Sequence, residues 1–163
     1  YSGAKAIEAT TSGFVTGRAD IVDNVRKQYA GIGRAMKVGK EQIVGLLAAL
    51  DQYDARDHEA EAAANEAKVD WLVGAVNGIP GLRAEKVRDE AGRAIYRCRV
   101  SLGEGAPAGI TMQAVNEKLR AGDPIVWART EFLNLGLLDL DPRPMLDGDK
   151  ELIAERLREI MEG

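Results

Sequence analysis

Two short runs, Leu82-Arg-Ala-Glu-Lys-Val-Arg88 and Ala94-Ile-Tyr-Arg-Cys-Arg-Val-Ser-Leu102, decide the fold that this sequence predicts. In the second run, every second residue from Tyr96 onward is apolar, while Arg97 and Arg99 take the other face. Such alternation is typical of a strand with one buried side. A turn rich in acidic residues and glycine joins the runs, so together they predict a β-hairpin.

Helical patterns lie on both sides of this hairpin. From residue 57 onward the expected elements are a helix over 57–77, the hairpin, a helix over 112–121, strands over 125–130 and 133–140, and a helix over 150–161. Thr111 is a good N-cap for the second of these helices. This order is typical of an α+β fold, in which helices pack on one face of an antiparallel sheet.

The first third of the chain has a different pattern. Phe14-Val15 predicts a short buried strand, and 20–29 predicts an amphipathic helix. A second helix is expected over 39–56, with a wide apolar face from Ile43 to Tyr53. Wide faces of this kind belong to helices that are buried on more than one side.

Composition limits the class of protein. The chain has 163 residues, of which 45% are apolar and 29% charged, and its formal net charge is −4. These values are typical of a soluble globular protein, and they give no basic surface for nucleic acid. No apolar run reaches the roughly 18 residues of a membrane helix. The single cysteine excludes an internal disulfide. We therefore expect a cytoplasmic protein without a membrane or nucleic-acid partner.

Lys5 is the strongest candidate for a reactive side chain. It lies among small residues, so a ligand could approach its amine closely, and a lysine of lowered pKa can form a Schiff base. The run Thr10-Thr11-Ser12 follows and could offer hydroxyl and amide groups to an anion. The alternative is a solvated lysine beside an ordinary turn, because Ser, Thr and Gly are common in turns.

A second cluster of candidates lies between Gly31 and Lys40. Arg34 could bind a carboxylate through two parallel hydrogen bonds, with Lys37 and Lys40 as weaker candidates. The alternative is a solvated basic turn between two helices. Met36 stands where a dinucleotide-binding loop would have its third glycine, so that motif is excluded.

The sequence predicts no metal centre. His58 lies in a charged helical stretch and is expected to face solvent, and Cys98 is expected to be a buried structural thiol. No group of His, Cys and carboxylate residues has the spacing of metal ligands.

Three runs carry a resemblance to a known family: Ser2-Gly-Ala-Lys5, Thr11-Ser-Gly-Phe14 and Gly33-Arg-Ala-Met-Lys-Val-Gly-Lys40. They resemble the fold-type-I pyridoxal-phosphate enzymes of the selenocysteine-synthase-like and D-glucosaminate-6-phosphate ammonia-lyase family. The resemblance extends along most of the chain. One departure is Ala9-Thr10, which stands where the family usually has Gly-Pro.

The resemblance implies roles for the candidate residues. Lys5 would bind pyridoxal 5'-phosphate through a Schiff base and act as the general base. The other residues that it implies for the cofactor are Ser2, Thr10, Thr11 and Ser12. Arg34 and Lys37 would bind the acidic groups of the substrate. The implied reaction is β-elimination and deamination of an amino acid or amino-sugar acid.

The resemblance also implies a domain organisation. Residues 1–50 would be the end of a cofactor-binding large domain and a connecting helix, and residues 51–163 a small α+β domain. The rest of the large domain would precede this chain, and the whole enzyme would be a homo-oligomer. This fragment alone would be inactive. Two other functions are open: a seryl-tRNA selenium transferase, and a non-catalytic domain that serves packing and oligomerisation.

Overall fold

The computed structural model describes residues 1–163 and divides them into a first unit, Tyr1–Asp57, and a second unit, His58–Gly163. The helices are α1 Ala19–Lys27, α2 Lys40–Asp54, α3 His58–Asn77, α4 Met112–Ala121 and α5 Asp149–Glu162. The strands are β1 Leu82–Arg88, β2 Tyr96–Leu102 and β3 Leu138–Leu140. None of the helices combines the length and the apolar character that crossing a membrane requires. The functional division expected at residue 50 concerns the complete protein and stays a prediction.

The expected hairpin is the centre of the second unit. Strands β1 and β2 pair in antiparallel register, with Leu82 opposite Leu102 and Arg88 opposite Tyr96. Strand β3 pairs with the other side of β2, where Leu140 lies opposite Cys98. The sheet order is therefore β1-β2-β3, and the predicted α+β class is confirmed.

The core of the second unit lies between the sheet and its helices. Cys98 of β2 is fully buried in one apolar cluster with Leu72 of α3, Leu119 of α4 and Leu157 of α5. Burial of each such aliphatic side chain stabilises the fold by about 1.5–3 kcal/mol. Thr111 caps α4 as expected, because its Oγ1 accepts a hydrogen bond from the Ala114 amide at 3.1 Å.

Two of the expected strands form only in small part. In 125–130 the structure has a single bridge, between Arg129 and Asp139, and in 133–140 only the last three residues form β3. Leu133–Leu135 is instead a 3-10 helix that ends at Gly136, whose φ of 75° is left-handed. A left-handed residue cannot continue a strand, which is why the run is cut short.

Arginines and carboxylates form an ion-pair network around β2. Arg97 has a fully buried side chain, which pairs with Asp89 at 2.8 Å and with Asp141 at 3.2 Å. Hydrogen bonds from Arg93 and Arg97 hold the pKa of Asp89 well below its usual range. Burial favours a higher pKa for Asp141, but the hydrogen bonds and charge of Arg143 together with the hydrogen bond from Arg97 outweigh it and lower the value to about 2.

The first unit buries few of its apolar residues. Only Leu46 and Ala49 of α2 are buried, although the sequence predicts a wide buried face for this helix. Val44 and Leu47 are 64% and 57% exposed. Phe14-Val15 forms no strand. The nearest β pairing is an isolated bridge between Ser2 and Gly13. These apolar groups find too few partners within the unit.

Candidate active site

Residues 1–14 form a closed loop with Lys5 at its turn, which we call the Lys5 loop. The Gly3 amide donates to the Ser12 carbonyl at 2.9 Å, and the Phe14 amide donates to the Tyr1 carbonyl at 3.1 Å. The rings of Tyr1 and Phe14 stack with centroids 5.2 Å apart. The two ends of the loop therefore hold each other without a regular sheet.

Two glycines allow this closure. A Cβ atom at Gly3 would overlap the Ser12 hydroxyl and would lie 2.8 Å from Cδ1 of Leu46 in α2. A Cβ atom at Gly13 would lie 2.8 Å from the Tyr1 carbonyl oxygen. At Gly13 the close atom is backbone, so a side chain there would force the two sides of the loop apart. At Gly3 a side chain would require Ser12 and Leu46 to move.

Lys5 is exposed beside an open hollow of about 520 Å³. Its side chain makes no hydrogen bond or ion pair within the chain. The wall of the hollow is largely aromatic and aliphatic, and its side chains include Tyr1, Ser2, Ile7, Phe14, Leu50 and Tyr53. The last two come from α2, where a spacing of three residues places them on one face. An amine beside a largely apolar wall, to which Ser2 and two tyrosines add hydroxyl groups, suits a flat, anionic ligand.

The structure brings one of the four predicted hydroxyl residues to Lys5. Ser2 lines the hollow, whereas Thr10, Thr11 and Ser12 lie on the returning side of the loop. The Ser12 hydroxyl donates to the Thr10 carbonyl at 2.7 Å, so it already has a partner. The amides of Thr10 and Thr11 donate to no group in the chain and are available to an anion. Their role in binding a cofactor stays a prediction.

Arg34 and Lys37 are not among the residues that line the hollow. Arg34 is in the 3-10 helix Ile32–Met36, and Lys37 follows it directly. Both side chains are exposed and have no hydrogen-bond partner within the chain. Their donors are thus available to an acidic group, but no contact within this chain joins them to Lys5.

The residues of the loop fit part of a pyridoxal-phosphate site. The two glycines bring the sides of the loop together, and Lys5 presents a primary amine with no internal partner. The hollow lies within the range of about 300–1,000 Å³ that is usual for ligand pockets. Lys5 could therefore bind the aldehyde carbon of the cofactor, and Ser2 could donate a hydrogen bond to one of its oxygens.

Sequence reasoning missed one feature of the loop. Glu8 has a φ of 59°, which is unusual for a residue with a side chain, and its carboxylate pairs with Arg56 just beyond α2. Residue types alone do not indicate this pairing, because 48 residues separate the two side chains. An acidic residue three positions after Lys5 was the only available signal.

The second unit also has hollows, of about 680 Å³ around Pro80 and about 310 Å³ beside Trp127 and Met145, but no lysine lines either of them. A smaller cavity beside α3 and β2 measures about 160 Å³ and is lined in part by His58 and Arg143. No group of His, Cys, Asp and Glu side chains is placed to hold a metal ion. Cys98 is buried as expected, and burial raises the pKa of its thiol to about 12. That thiol is therefore unreactive at neutral pH.

Comparisons with known proteins agree with the resemblance. The chain is 43% identical over 162 residues to D-glucosaminate-6-phosphate ammonia lyase of Salmonella typhimurium, covering 99% of this chain and 42% of that protein. It is 41% identical over 161 residues to 5'-C-glycyluridine monooxygenase-decarboxylase of a Streptomyces species, covering 99% of this chain and 40% of that one. No family model matches the sequence.

A solved structure supports the same relationship. The structure of D-glucosaminate-6-phosphate ammonia-lyase matches with a TM-score of 0.75 and 43% identity, over 99% of this chain and 42% of that one. The chain thus spans about two-fifths of the length of the relatives that it matches. The similarity expected from the sequence is confirmed: the chain is homologous, over nearly its whole length, to part of this ammonia lyase.

Proposed function

We propose that this chain is the C-terminal part of a pyridoxal-phosphate-dependent ammonia lyase, to which it contributes the reactive lysine and the small domain. The observation that carries the proposal is the Lys5 loop: an exposed amine without an internal partner, beside an apolar hollow, on a backbone closed by two glycines. Its support is the 43% identity to a protein named as an ammonia lyase, which extends over 99% of the chain.

The chain's own residues would perform four tasks. Lys5 would bind the cofactor through a Schiff base and, once released by the substrate amine, would take the proton from the substrate Cα. The proton would pass to the β-hydroxyl, which leaves as water, and hydrolysis of the product would give a 2-keto acid and ammonia. Bound pyridoxal phosphate supplies the electron sink for the negative charge at Cα. Ser2 would orient the cofactor, and Arg34 would hold the substrate carboxylate.

The proposed substrate is an amino acid or an amino-sugar acid. Arg34 has donors that no residue of this chain occupies, and a guanidinium matches a carboxylate at two points. Lys37, three residues further on, could pair with a second acidic group. A phosphorylated amino-sugar acid, as in the name of the Salmonella relative, carries both groups.

A second candidate function comes from the other relative. The Streptomyces protein is named as a monooxygenase-decarboxylase, and its identity to this chain is nearly the same. This part of the protein is thus shared by proteins named for two kinds of reaction. We favour the lyase because its structure also matches. The selenium transferase gains no support from a net charge of −4, while packing and oligomerisation would accompany the catalytic role.

The products distinguish these functions. The complete protein, given pyridoxal phosphate and D-glucosaminate 6-phosphate, should release ammonia and a keto acid in equal amounts without oxygen uptake. Lys5→Ala should lower turnover by about 10²–10⁴-fold, which is the usual contribution of a general base. Lys27→Ala, at an exposed lysine of α1, is the control and should keep full activity. Oxygen consumption with release of carbon dioxide would instead support the second function.

A further inference from the structure

Glu8 has the only left-handed backbone among the non-glycine residues of the chain, with a φ of 59°. A Cβ atom makes this conformation unfavourable, so surrounding contacts must hold the residue there. Such outliers are common at functional sites. Glu8 lies three residues after Lys5, which is the residue that the proposed function depends on.

Two backbone hydrogen bonds and one ion pair hold Glu8. Its amide donates to the Lys5 carbonyl at 2.9 Å, and the next amide, of Ala9, donates to the Gly3 carbonyl at 2.9 Å. Its carboxylate accepts a hydrogen bond from the guanidinium of Arg56. The hydrogen bonds close the turn on itself, whereas the ion pair attaches it to another part of the first unit.

That other part also forms the wall of the hollow. Arg56 comes two residues after the end of α2, and the same helix supplies Leu50 and Tyr53 to the hollow beside Lys5. The spacing of 50, 53 and 56 is close to one helical turn per step. The ion pair thus connects the backbone that carries Lys5 to the element that lines the space in front of it.

We propose that Glu8 and Arg56 are positioning residues, whose ion pair fixes the left-handed turn against α2 so that the Lys5 amine faces the hollow. This proposal rests on the proposed function, in which Lys5 is the reactive lysine. The Glu8 side chain is 66% exposed and that of Arg56 is 32% exposed. Exposed ion pairs contribute little to global stability, so the effect of losing this pair should be local.

The test compares this ion pair with a matched one. Glu8→Gln and Arg56→Gln remove it, and the double variant Glu8→Arg/Arg56→Glu reverses it. Asp20→Asn removes the exposed pair between Arg18 and Asp20 and serves as the control. Hydrogen exchange of the Gly3 and Ala9 amides and acetylation of Lys5 by acetic anhydride are measured in the complete protein. In the cofactor-loaded enzyme, kcat, KM and the pH dependence of the visible absorption band are measured.

We expect Glu8→Gln and Arg56→Gln to speed exchange of both amides at least about tenfold, because local opening controls exchange. The rate of Lys5 acetylation and the pH profile of the band should change, and kcat should fall while KM stays within about twofold. The reversed pair should recover part of kcat. Asp20→Asn should leave amide exchange, Lys5 acetylation, kcat, KM and the pH profile of the band unchanged. A purely stabilising role would lower the melting temperature without moving the pH profile.

The measurements separate this proposal from the proposed function. If the wild-type protein shows no visible band with the cofactor, the proposed function fails, and exchange and acetylation still decide whether the pair positions Lys5. If the band forms but Glu8→Gln behaves like Asp20→Asn in exchange, acetylation and kcat, the positioning role is overturned and the proposed function stands.

Discussion

At the scale of single residues, the proposed site depends on Lys5 and Arg34, two exposed cations that have no partner within the chain. Most surface cations here do have partners; Arg18, for example, pairs with Asp20 at 2.7 Å. A cation without an internal partner loses nothing within the protein when it binds an acidic or carbonyl group. The absence of an internal partner leaves both cations able to bind a ligand. Lys40, Arg83 and Lys118 share this property, so the resemblance to the ammonia-lyase family is what favours Lys5 and Arg34.

Replacing Arg34 by lysine tests its role in substrate binding. Lysine keeps the charge but cannot make two parallel hydrogen bonds to a carboxylate. We expect kcat/KM to fall about tenfold, equal to roughly 1.4 kcal/mol of lost transition-state binding. Steady-state kinetics with the correct substrate measure this change, and Arg26→Lys in α1 is the matched control. An unchanged kcat/KM would mean that Arg34 is a surface turn residue.

At the scale of the elements, β2 carries a buried charge network beside the apolar core. Arg97 is fully buried between carboxylates, and the pKa of Asp89 is depressed because Arg93 and Arg97 donate hydrogen bonds to it. A buried pair of this kind is costly to break, since the remaining charge loses its partner. The network therefore makes the stability of the second unit depend on pH.

The network predicts loss of stability in acid. A carboxyl group whose pKa is lower in the folded state stabilises the fold above its unfolded pKa of about 3.9 and loses this effect as the pH falls through the folded pKa. For Asp141 that folded value is about 2, so stability should fall between about pH 4 and pH 2. Urea unfolding across this range is the measurement.

A variant and its control identify the source of the acid effect. Asp89→Asn should be less stable than the wild type at pH 7 and should show a flatter decline below pH 4, because one titrating group has been removed. Asp147→Asn, at an exposed residue without an ion pair, should keep the wild-type profile. If the free energy of unfolding of Asp89→Asn declined below pH 4 as steeply as that of the wild type, Asp89 would not be a source of the acid effect.

The elements differ in how well the sequence predicted them. Strand β1 and helix α4 have the expected bounds, and for α4 the capping threonine is a local signal. The prediction of a strand over 133–140 was wrong for most of the run, because Gly136 has a left-handed backbone there. The apolar residues around Gly136 do not indicate this conformation. In the candidate site, the small residues around Lys5 predict an accessible amine, and the structure leaves this side chain exposed. The ion pair between Glu8 and Arg56, which attaches the Lys5 loop to the end of α2, could not be predicted from the sequence, because it joins residues 48 positions apart.

At the scale of the whole molecule, the two units differ in how much apolar surface they cover. In the second unit, residues from three helices and all three strands share one core. In the first unit, Ile32 and Met36 are 79% and 75% exposed, and much of α2 is uncovered. Extended apolar surfaces on folded proteins mark interfaces. We propose that the rest of the large domain, or a second copy of the protein, covers this surface.

This difference predicts unequal protection in the isolated chain. Amide hydrogen exchange should be slowest in the hairpin 82–102 and in α5, whose backbone is backed by the core, and fastest from residue 1 to about residue 40. Size-exclusion chromatography should show self-association. The isolated chain should also be inactive. Uniform protection in a monomer that deaminates a substrate would contradict this division of the chain.

The proposed function depends above all on which residue binds the cofactor, and chemical trapping identifies that residue. The complete protein is loaded with pyridoxal phosphate, reduced with borohydride and digested, and the modified peptide is identified by mass spectrometry. If Lys5 binds the cofactor, a visible absorption band appears before reduction and the reduced cofactor is found on Lys5 alone, with no modified peptide in Lys5→Ala. Modification of another lysine, or absence of the band in cofactor-loaded protein, would contradict this role of Lys5.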